Sequence, residues 1–534
     1  GAVPIAKAID YMCYGYAVAT PEEGHILRKH GITKPIFILG DVPYSDYQLI
    51  VDEEMLPPVF SIEDAKELSK VAKQSEKVAK INEGKNYTYY ILTMGCQLNE
   101  NDSEKLCGMA EKMGYTQVTE MSSADLIIFN TCCIRENAED KLFGKLGEAK
   151  KVKEKRSSII AIGGCMMQEK EMIKKIHESY PFVDVLFGTH TLHKFPENLY
   201  KAVTTNKKLE DILDIDGEII EGLPIKRDDQ IKASVTIMNG CNNFCSYCIV
   251  PYVRGRERSR TPKDIIEEIR CLAKQGYKEI TLLGQNVNSY LRVENEKNIE
   301  YEKYEGVNSF ATLLRAVNKI DGIERIRFVS PHPKDFTDDV IEAIKDCDKV
   351  CKLVHLPLQS GSTNVLRVMN RKYSKEQFLN LVEKMKNNIP NLTISTDIIV
   401  GFPGETEEDF EDTLDVVRKV KFEQVYMFIY SRRTGTPGDK MENQVPDDVK
   451  HKRFDRLKAL VENQIEKRNK EYVGTIQKIL VEGRSKTNEN TYTGRTDSNK
   501  VVIFEGKEEN IGKVVDVEIT SEHMWYLKGA IVNG

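Results

Sequence analysis

No apolar run among the 534 residues approaches the roughly 20 that a helix needs to cross a bilayer. The opening stretch, Gly1 to Val18, lacks the basic segment, apolar core and cleavage site of a secretory leader in their required order. An excess of positive charge is also missing. Lys and Arg number 77 against 83 Asp and Glu, a net charge of −6, so any contact with nucleic acid must come from local basic patches. Cysteine is sparse for so long a chain, at 12 residues, which argues against a disulfide framework. In a reducing compartment such cysteines bind metal, do redox chemistry or sit buried. A soluble cytoplasmic protein is the expectation. With 40% hydrophobic and 30% charged residues, wholesale disorder is excluded, and the length suits three or four domains.

Four stretches differ in character. Residues 1–73 alternate helix-like and strand-like runs. Pro35–Leu39 reads as a strand ended by Gly40, and Ser61-Ile-Glu-Asp64 as a capping box. Residues 63–86, rich in Lys, Glu, Ala and Ser, predict a helix running out into a linker over 74–86. From 87 to 205 an α/β unit follows, with strands at 87–93, 125–130 and 159–162 and a helix at 102–113. Such alternation predicts a parallel sheet covered by helices. A cysteine lies just beyond each strand, at the carboxyl edge where open α/β sheets collect ligands. Residues 228–470 repeat the alternation, with strands at 232–238, 279–283, 325–329, 353–356, 393–400 and 424–428, which predicts a partial or complete barrel. Short strands at 474–482, 491–495, 500–504 and 513–519 make 473–534 a small β-barrel, an architecture that commonly binds looped or single-stranded nucleic acid. The class is α/β and multidomain.

The most specific motif is Asn239-Gly-Cys241-Asn-Asn-Phe-Cys245-Ser-Tyr-Cys248. Spacing of i, i+4, i+7 also fits one helix face, but Gly240, paired Asn242 and Asn243, and Pro251 favour a loop after the first barrel strand. Three thiolates satisfy three irons of a four-iron cubane and leave the fourth open, by the logic of an open catalytic zinc site. Zinc itself fits less well, with three soft ligands and no nearby His. This CxxxCxxC loop is similar to the radical S-adenosylmethionine (SAM) superfamily. There the open iron chelates SAM, and reduction of the sulfonium releases a 5′-deoxyadenosyl radical. The resemblance implies that Tyr247 packs near the adenine and that Gln285, Asn286 and Gly401, on strand-end loops, meet SAM. Gly401-Phe-Pro-Gly404 also reads as a mere turn into a helix capped by Thr406-x-x-Asp409.

Thr93-Met-Gly-Cys96-Gln-Leu-Asn99, Asn130-Thr-Cys132-Cys-Ile-Arg135 and Gly163-Gly-Cys165-Met-Met-Gln168 complete the pattern. If their strands are neighbours, Cys96, Cys132 and Cys165 converge on one edge and hold a second cluster. These blocks, with Ile249-Val-Pro-Tyr-Val-Arg-Gly-Arg-Glu-Arg-Ser-Arg260 and His355-Leu-Pro-Leu-Gln-Ser-Gly-Ser362, resemble the methylthiotransferases over about 86–534. The MiaB branch fits better than the ribosomal-protein branch, RimO, because Gln-Leu-Asn follows Cys96. The last segment resembles a TRAM domain, an RNA-binding β-barrel.

The resemblance implies two [4Fe–4S] clusters, SAM, a tRNA anticodon stem-loop as substrate, an electron donor such as flavodoxin or ferredoxin, and a sulfur donor. The implied target is C2 of N(6)-isopentenyladenosine beside the anticodon. That C–H bond has no useful acidity, so a radical removes its hydrogen while the second cluster offers a methylated sulfur. No catalytic residue beyond the six ligand cysteines is expected. The family pattern selects Cys132 over its neighbour Cys133. Cys13, Cys107, Cys271, Cys347 and Cys351 match no ligand position and are read as buried small hydrophobes. Arg254, Arg256, Arg258 and Arg260 are candidates for phosphate contact or for SAM's surroundings, or else form a solvated edge strand. The rival readings are the threonylcarbamoyladenosine branch, the RimO branch and a non-catalytic RNA-binding iron–sulfur protein.

Residues 1–73 are similar instead to an amino-terminal piece of alanine racemase, through Gly15-Tyr-Ala-Val-Ala-Thr-Pro-Glu-Glu23 and Lys34-Pro-Ile-Phe-Ile-Leu-Gly40. The pyridoxal-phosphate lysine of that family would precede this chain's first residue, so no racemase activity is implied. A few βα units without their barrel leave sheet edges unpaired, which predicts a loosely packed appendage.

Overall fold

The computed structural model describes residues 2–10, 13–40, 42–43, 46–57, 76–133, 137–205, 207–213, 219–292, 304, 306–485, 488 and 490–532. The Ser61–Asp64 capping box and Arg135 lie outside them. Two compact units emerge, residues 1–228 with 263–268, and 229–262 with 269–534.

The first unit holds two parallel sheets. Tyr16–Val18, Ile36–Ile38 and Met55–Leu56 pair in that order, with helices Ala2–Ile9, Pro21–Lys29 and Tyr47–Asp52 between or beside them. One face of this small sheet packs firmly. Tyr16, Val18, Ile36, Ile38 and Met55 join Ala6, Leu27 and Ile50 in a buried apolar cluster. The other face, the in-register row Ala17, Phe37 and Leu56, is exposed. The expected loose packing therefore does not hold on the helix-covered face, where alternation puts every second side chain into a core. Nor is the stretch after it a plain linker. Residues 76–82 are helical, Val78 is buried in one cluster with Tyr89 and Leu106, and Asn82 Nδ2 donates to Met113 O at 2.7 Å.

A six-stranded parallel sheet follows, in the order Thr116–Gln117, Thr88–Thr93, Leu126–Thr131, Ile159–Gly164, Val185–Phe187, Leu209–Asp211. Every residue of Leu126–Thr131 is buried, the unbroken apolar habit of a central parallel strand. Its side chains alternate between two cores, Ile127 and Phe129 in one and Leu126 and Ile128 in the other.

In the second unit six parallel strands run in chain order. Lys232–Thr236, Glu279–Leu283 and Arg325–Phe328 form one sheet, and Leu353–His355, Thr393–Val400 and Gln424–Ile429 another. A single parallel bridge, Ile326 to Val350, links Arg325–Phe328 to the segment leading into the second sheet. The result is a partial barrel with crossover helices such as Pro262–Lys274, Phe310–Asn318 and Glu407–Val420. A helix of 26 residues, Asp447–Tyr472, leads to a closed barrel of Ile476–Arg484, Thr491–Arg495, Val501–Glu505, Tyr526–Ile531 and Val514–Glu522. Tyr526–Ile531 closes it, pairing antiparallel with Val514–Glu522 and parallel with Val501–Glu505, a strand the sequence pattern did not reveal. The closed barrel is fastened to the amino ends of the larger barrel's strands. Arg325 donates to the carbonyls of Lys478 and Arg495 at 2.7 and 2.6 Å, Arg327 to those of Thr496 and Asp497 at 2.9 Å each, and Lys500 pairs with buried Glu423 at 3.0 Å.

Candidate metal centres

Three neighbouring strands of the first unit carry the first centre. Register places Thr93 beside Asn130 and Asn130 beside Gly163, so Cys96, Cys132 and Cys165 all leave the sheet at its carboxyl edge. Cys96 is the extended N-cap of helix Gln97–Lys112, which begins five residues earlier than the sequence pattern suggested. Cys165 opens the short turn Cys165–Gln168. Gly95, at φ 122°, has no room for a Cβ, which would lie 2.5 Å from Cys132 Cβ and 2.8 Å from its Sγ. Only glycine permits both that backbone and that approach.

Asn99, one helical turn beyond Cys96, stands between the thiols. Its Oδ1 is 3.5 Å from Cys96 Sγ and 4.0 Å from Cys165 Sγ, and its Nδ2 donates to Thr131 O at 2.8 Å. Asn130 Nδ2 returns a bond to Asn99 O at 2.8 Å. Cys133 is buried beside the same group. A hydrogen bond with Cys165, and burial after it, hold its thiol well above the usual range.

The second centre is a single loop. Strand Met238–Asn239 pairs antiparallel with Arg258–Ser259, and the cysteine loop hangs between them. Gly240, at φ 81°, lies so close beneath Arg256 that a Cβ would be 1.9 Å from its carbonyl oxygen. Cys241 N then donates to Gly255 O at 3.1 Å and Cys248 N to Cys245 O at 2.9 Å. A distant segment clasps this loop. Ser246 N donates to Met369 O at 3.0 Å, and Asn370 Nδ2 to the carbonyls of Asn243 and Phe244 at 3.2 and 2.9 Å. Two N–H groups point at sulfur, Asn243 Nδ2 at Cys241 Sγ and Arg371 Nη1 at Cys245 Sγ, each at 3.4 Å.

Around the loop the expected SAM residues take definite places. Tyr247 meets Phe402 edge-on, with ring centroids 6.4 Å apart. Asn286 donates to Glu257 Oε1 at 3.2 Å and Asp335 Oδ2 at 2.9 Å, and Ser289 Oγ to Glu257 Oε2 at 2.9 Å. Burial raises the Glu257 carboxyl above its ordinary value. Buried acceptor atoms of Asn243, Gln285 and Asn286 have no hydrogen-bond partner among the described residues. Gly401 N donates to Glu405 Oε1 at 3.0 Å, and Thr406 with Asp409 makes a reciprocal cap on helix Glu407–Val420, so the turn reading of that segment is present in full.

The four arginines separate. Arg254 and Arg260 are buried, and Arg260 Nη1 donates to Thr236 O at 2.7 Å. Arg256 is exposed, its guanidinium 4.3 Å from the Phe244 ring centre. Sequence reasoning missed Arg371, Asn370, Tyr373 and His332, which belong to loops far along the chain. Buried His332 lies edge-on to Tyr373, and burial first, then Arg371, holds it well below the usual imidazole range.

Do these residues suit iron–sulfur clusters? Among the described residues no three His, Cys, Asp or Glu are gathered as ligands of one metal ion. Burial pushes the Cys241 thiol up to about 12 and, with Cys245 and Cys241 adding to it, holds Cys248 higher still. Thiols packed this way resist ionising alone, and a cationic core among them reverses the preference. Both centres fit such a group by their cysteine sets, and in the loop centre two N–H donors are aimed at sulfur.

Residues 235–417 match the Radical SAM superfamily, 88–188 the Uncharacterized protein family UPF0004, 470–532 the TRAM domain and 1–82 the Alanine racemase, N-terminal domain. Relatives named tRNA-2-methylthio-N(6)-dimethylallyladenosine synthase are more than half identical to the chain over the aligned residues. The protein of Acetivibrio thermocellus is 54% identical over 454 residues, 85% of this chain and 92% of its own length. That of Clostridium botulinum is 54% identical over 458 residues, 86% of this chain and 98% of its own. A solved radical SAM methyltransferase, TsrM from Kitasatospora setae, is 13% identical with a TM-score of 0.48, covering 66% of this chain and 77% of that one. With the cysteine loops, the partial barrel and the terminal closed barrel in place, the chain belongs to the tRNA-2-methylthio-N(6)-dimethylallyladenosine synthase family of radical SAM methylthiotransferases.

Proposed function

We propose that the chain methylthiolates C2 of N(6)-dimethylallyladenosine beside the anticodon of tRNA, with one [4Fe–4S] cluster on Cys241, Cys245 and Cys248 and another on Cys96, Cys132 and Cys165. The observation that carries this reading is the assembly of two separate cysteine triads, one in each unit, each at the carboxyl ends of parallel strands. With SAM bound, the clusters supply a carbon-centred radical able to take hydrogen from an inert C–H bond, and the sulfur that replaces it.

The chain's own residues bind, orient and shield. Tyr247, Gln285, Asn286 and Gly401 line the place for SAM, and the unmatched acceptors of Asn243, Gln285 and Asn286 suit its amine and hydroxyl donors. Glu257 locks Asn286 and Ser289 to the backbone of Asn242, which fixes the wall beside the cysteine loop. Cys132, continuous with the family pattern, is the ligand in preference to Cys133. Arg256 is the arginine of its row with an exposed side chain to offer phosphate, while Arg254 and Arg260 stiffen the loop from inside. The terminal barrel adds RNA-binding surface. A flavodoxin- or ferredoxin-type protein supplies the electrons, and the reaction proceeds in the cytoplasm, where tRNA is. Among the described residues no helix is long and apolar enough to cross a membrane.

The test is direct. Oxygen-free reconstituted protein is given SAM, a reductant and anticodon stem-loops bearing either dimethylallyladenosine or threonylcarbamoyladenosine, and the nucleosides are weighed by mass spectrometry. A methylthio product on the dimethylallyl substrate alone is expected. Product on the threonylcarbamoyl substrate alone, or 5′-deoxyadenosine with no modified nucleoside from either, contradicts the reading.

A further inference from the structure

The chain has one tryptophan, Trp525, and it is 66% exposed. A lone exposed apolar residue is ordinary, and this one stands apart through the way its turn is held. Trp525 lies in the hairpin turn between strands Val514–Glu522 and Tyr526–Ile531, closed by His523 N donating to Tyr526 O at 2.9 Å. The rings of His523 and Tyr526 stack across the turn, with centroids 4.3 Å apart and 20° between their planes. Beneath it Asn469, 1% exposed, donates from Nδ2 to the carbonyls of His523 and Met524 at 2.8 and 3.2 Å. Asn469 Oδ1 in turn accepts from Lys500 Nζ at 2.7 Å. Lys500 pairs with buried Glu423 at 3.0 Å, and Glu423 also holds Arg468 at 2.9 Å. Linked polar groups thus run from the larger barrel to the turn, and they fix the backbone that carries the indole where a free loop tip would move.

The surroundings indicate what the indole meets. Lys528 is exposed on the same strand face as Tyr526. A flat apolar ring with a cation beside it is the chemistry that holds a nucleobase next to its phosphate, since every base offers a π-face. Distance decides which base. Glu423 precedes strand Gln424–Ile429 and Tyr430 follows it. Tyr430 packs on Phe402, which meets Tyr247 of the cysteine loop. The strand from 423 to 430 spans about 23 Å. The turn is fastened at the Glu423 end, so a base reacting at the cysteine loop is out of its reach. We propose that Trp525 stacks on an unpaired base of the substrate RNA other than the one modified, a second grip that sets the register of the RNA on the enzyme. The inference rests on the reading of this chain as an enzyme acting on tRNA.

Because the chain has no other tryptophan, its indole emission reports on this site alone. Reconstituted full-length wild type, Trp525→Phe and Trp525→Ala are titrated without oxygen with an anticodon stem-loop bearing dimethylallyladenosine. Affinity is read by filter binding and, in the wild type, also from tryptophan emission, with iron content and thermal unfolding as checks on the fold of each variant. The expected result is emission quenched to saturation as RNA binds. Affinity falls about 5- to 150-fold in Trp525→Ala, the effect of losing one stacked base, and by less in Trp525→Phe. Unchanged affinity in Trp525→Ala overturns the inference, whatever the emission does. Equal weakening in both variants also overturns it, since a phenyl ring still stacks, and so does a wild type that leaves the stem-loop unbound. RNA held through Trp525 without any methylthio product leaves the inference standing and sinks the proposed reaction. Product formed with an affinity independent of Trp525 sinks the inference alone.

Discussion

The two cysteine triads are built in opposite ways. Cys241, Cys245 and Cys248 occupy a single loop, closed at its base by the Met238–Asn239 and Arg258–Ser259 pair. Cys96, Cys132 and Cys165 come from three strands, and only the register of the central sheet brings them together around Asn99. The loop carries its geometry locally and is clamped by hydrogen bonds from Arg371 and Asn370. The sheet-borne triad inherits its geometry from a buried core, where a one-residue slip would send each cysteine to the wrong face. Both centres thus depend on distant parts of the chain, the loop through its clasp at Met369–Arg371 and the other triad through its whole sheet.

The largest expected contrast comes from removing each triad. Cys241/Cys245/Cys248→Ala loses both SAM cleavage and methylthiolation, to background. Cys96/Cys132/Cys165→Ala keeps 5′-deoxyadenosine formation and loses only the methylthio product. Equal loss of both readouts in the two variants would erase the distinction between the centres.

Next come the glycines that seat each group. In Gly240→Ala the new Cβ meets the Arg256 backbone 1.9 Å away, and in Gly95→Ala it meets Cys132 at 2.5 Å. Each costs about 1–3 kcal/mol in the strained positive-φ backbone alone. The iron bound at the affected centre falls while the other centre keeps its own, as site-specific Mössbauer or resonance signals will show.

A smaller effect follows from Asn99→Ala, which leaves Thr131 O without its donor inside the protein. Chemical denaturation should show a loss of about 1–3 kcal/mol. Iron at the sheet-borne centre is bound more weakly, and the loop centre is unaffected. Smallest of all for either cluster is Arg325→Met, which strips donors from the carbonyls of Lys478 and Arg495. It loosens the terminal barrel, detectable as faster hydrogen exchange there, with iron content unchanged.

These constructions also explain what could be read beforehand. The CxxxCxxC loop was legible because its three ligands and its glycine are neighbours in the chain. The strand–cysteine repeats at 93–96, 130–132 and 163–165 were legible as a pattern, yet their meeting depended on strand order that no local signal encodes. Arg371 was invisible because its sulfur contact spans 126 residues. The arginine row from 254 to 260 read as phosphate contacts, as SAM's surroundings or as a solvated edge strand, but burial there follows the loop's packing, so Arg254 and Arg260 both turn inward. Edge strands such as Thr116–Gln117 and Leu209–Asp211 lack apolar periodicity, and Tyr526–Ile531 shows it only weakly, so tertiary pairing decides them.

The claim that two independent clusters stand on two differently built triads is tested most directly by counting iron after oxygen-free reconstitution. The account predicts about eight irons per wild-type chain, as two cubanes require, and about four in either triple-alanine variant. About four in wild type, falling to none without Cys241, Cys245 and Cys248, would mean that the sheet-borne triad holds nothing, and would contradict it.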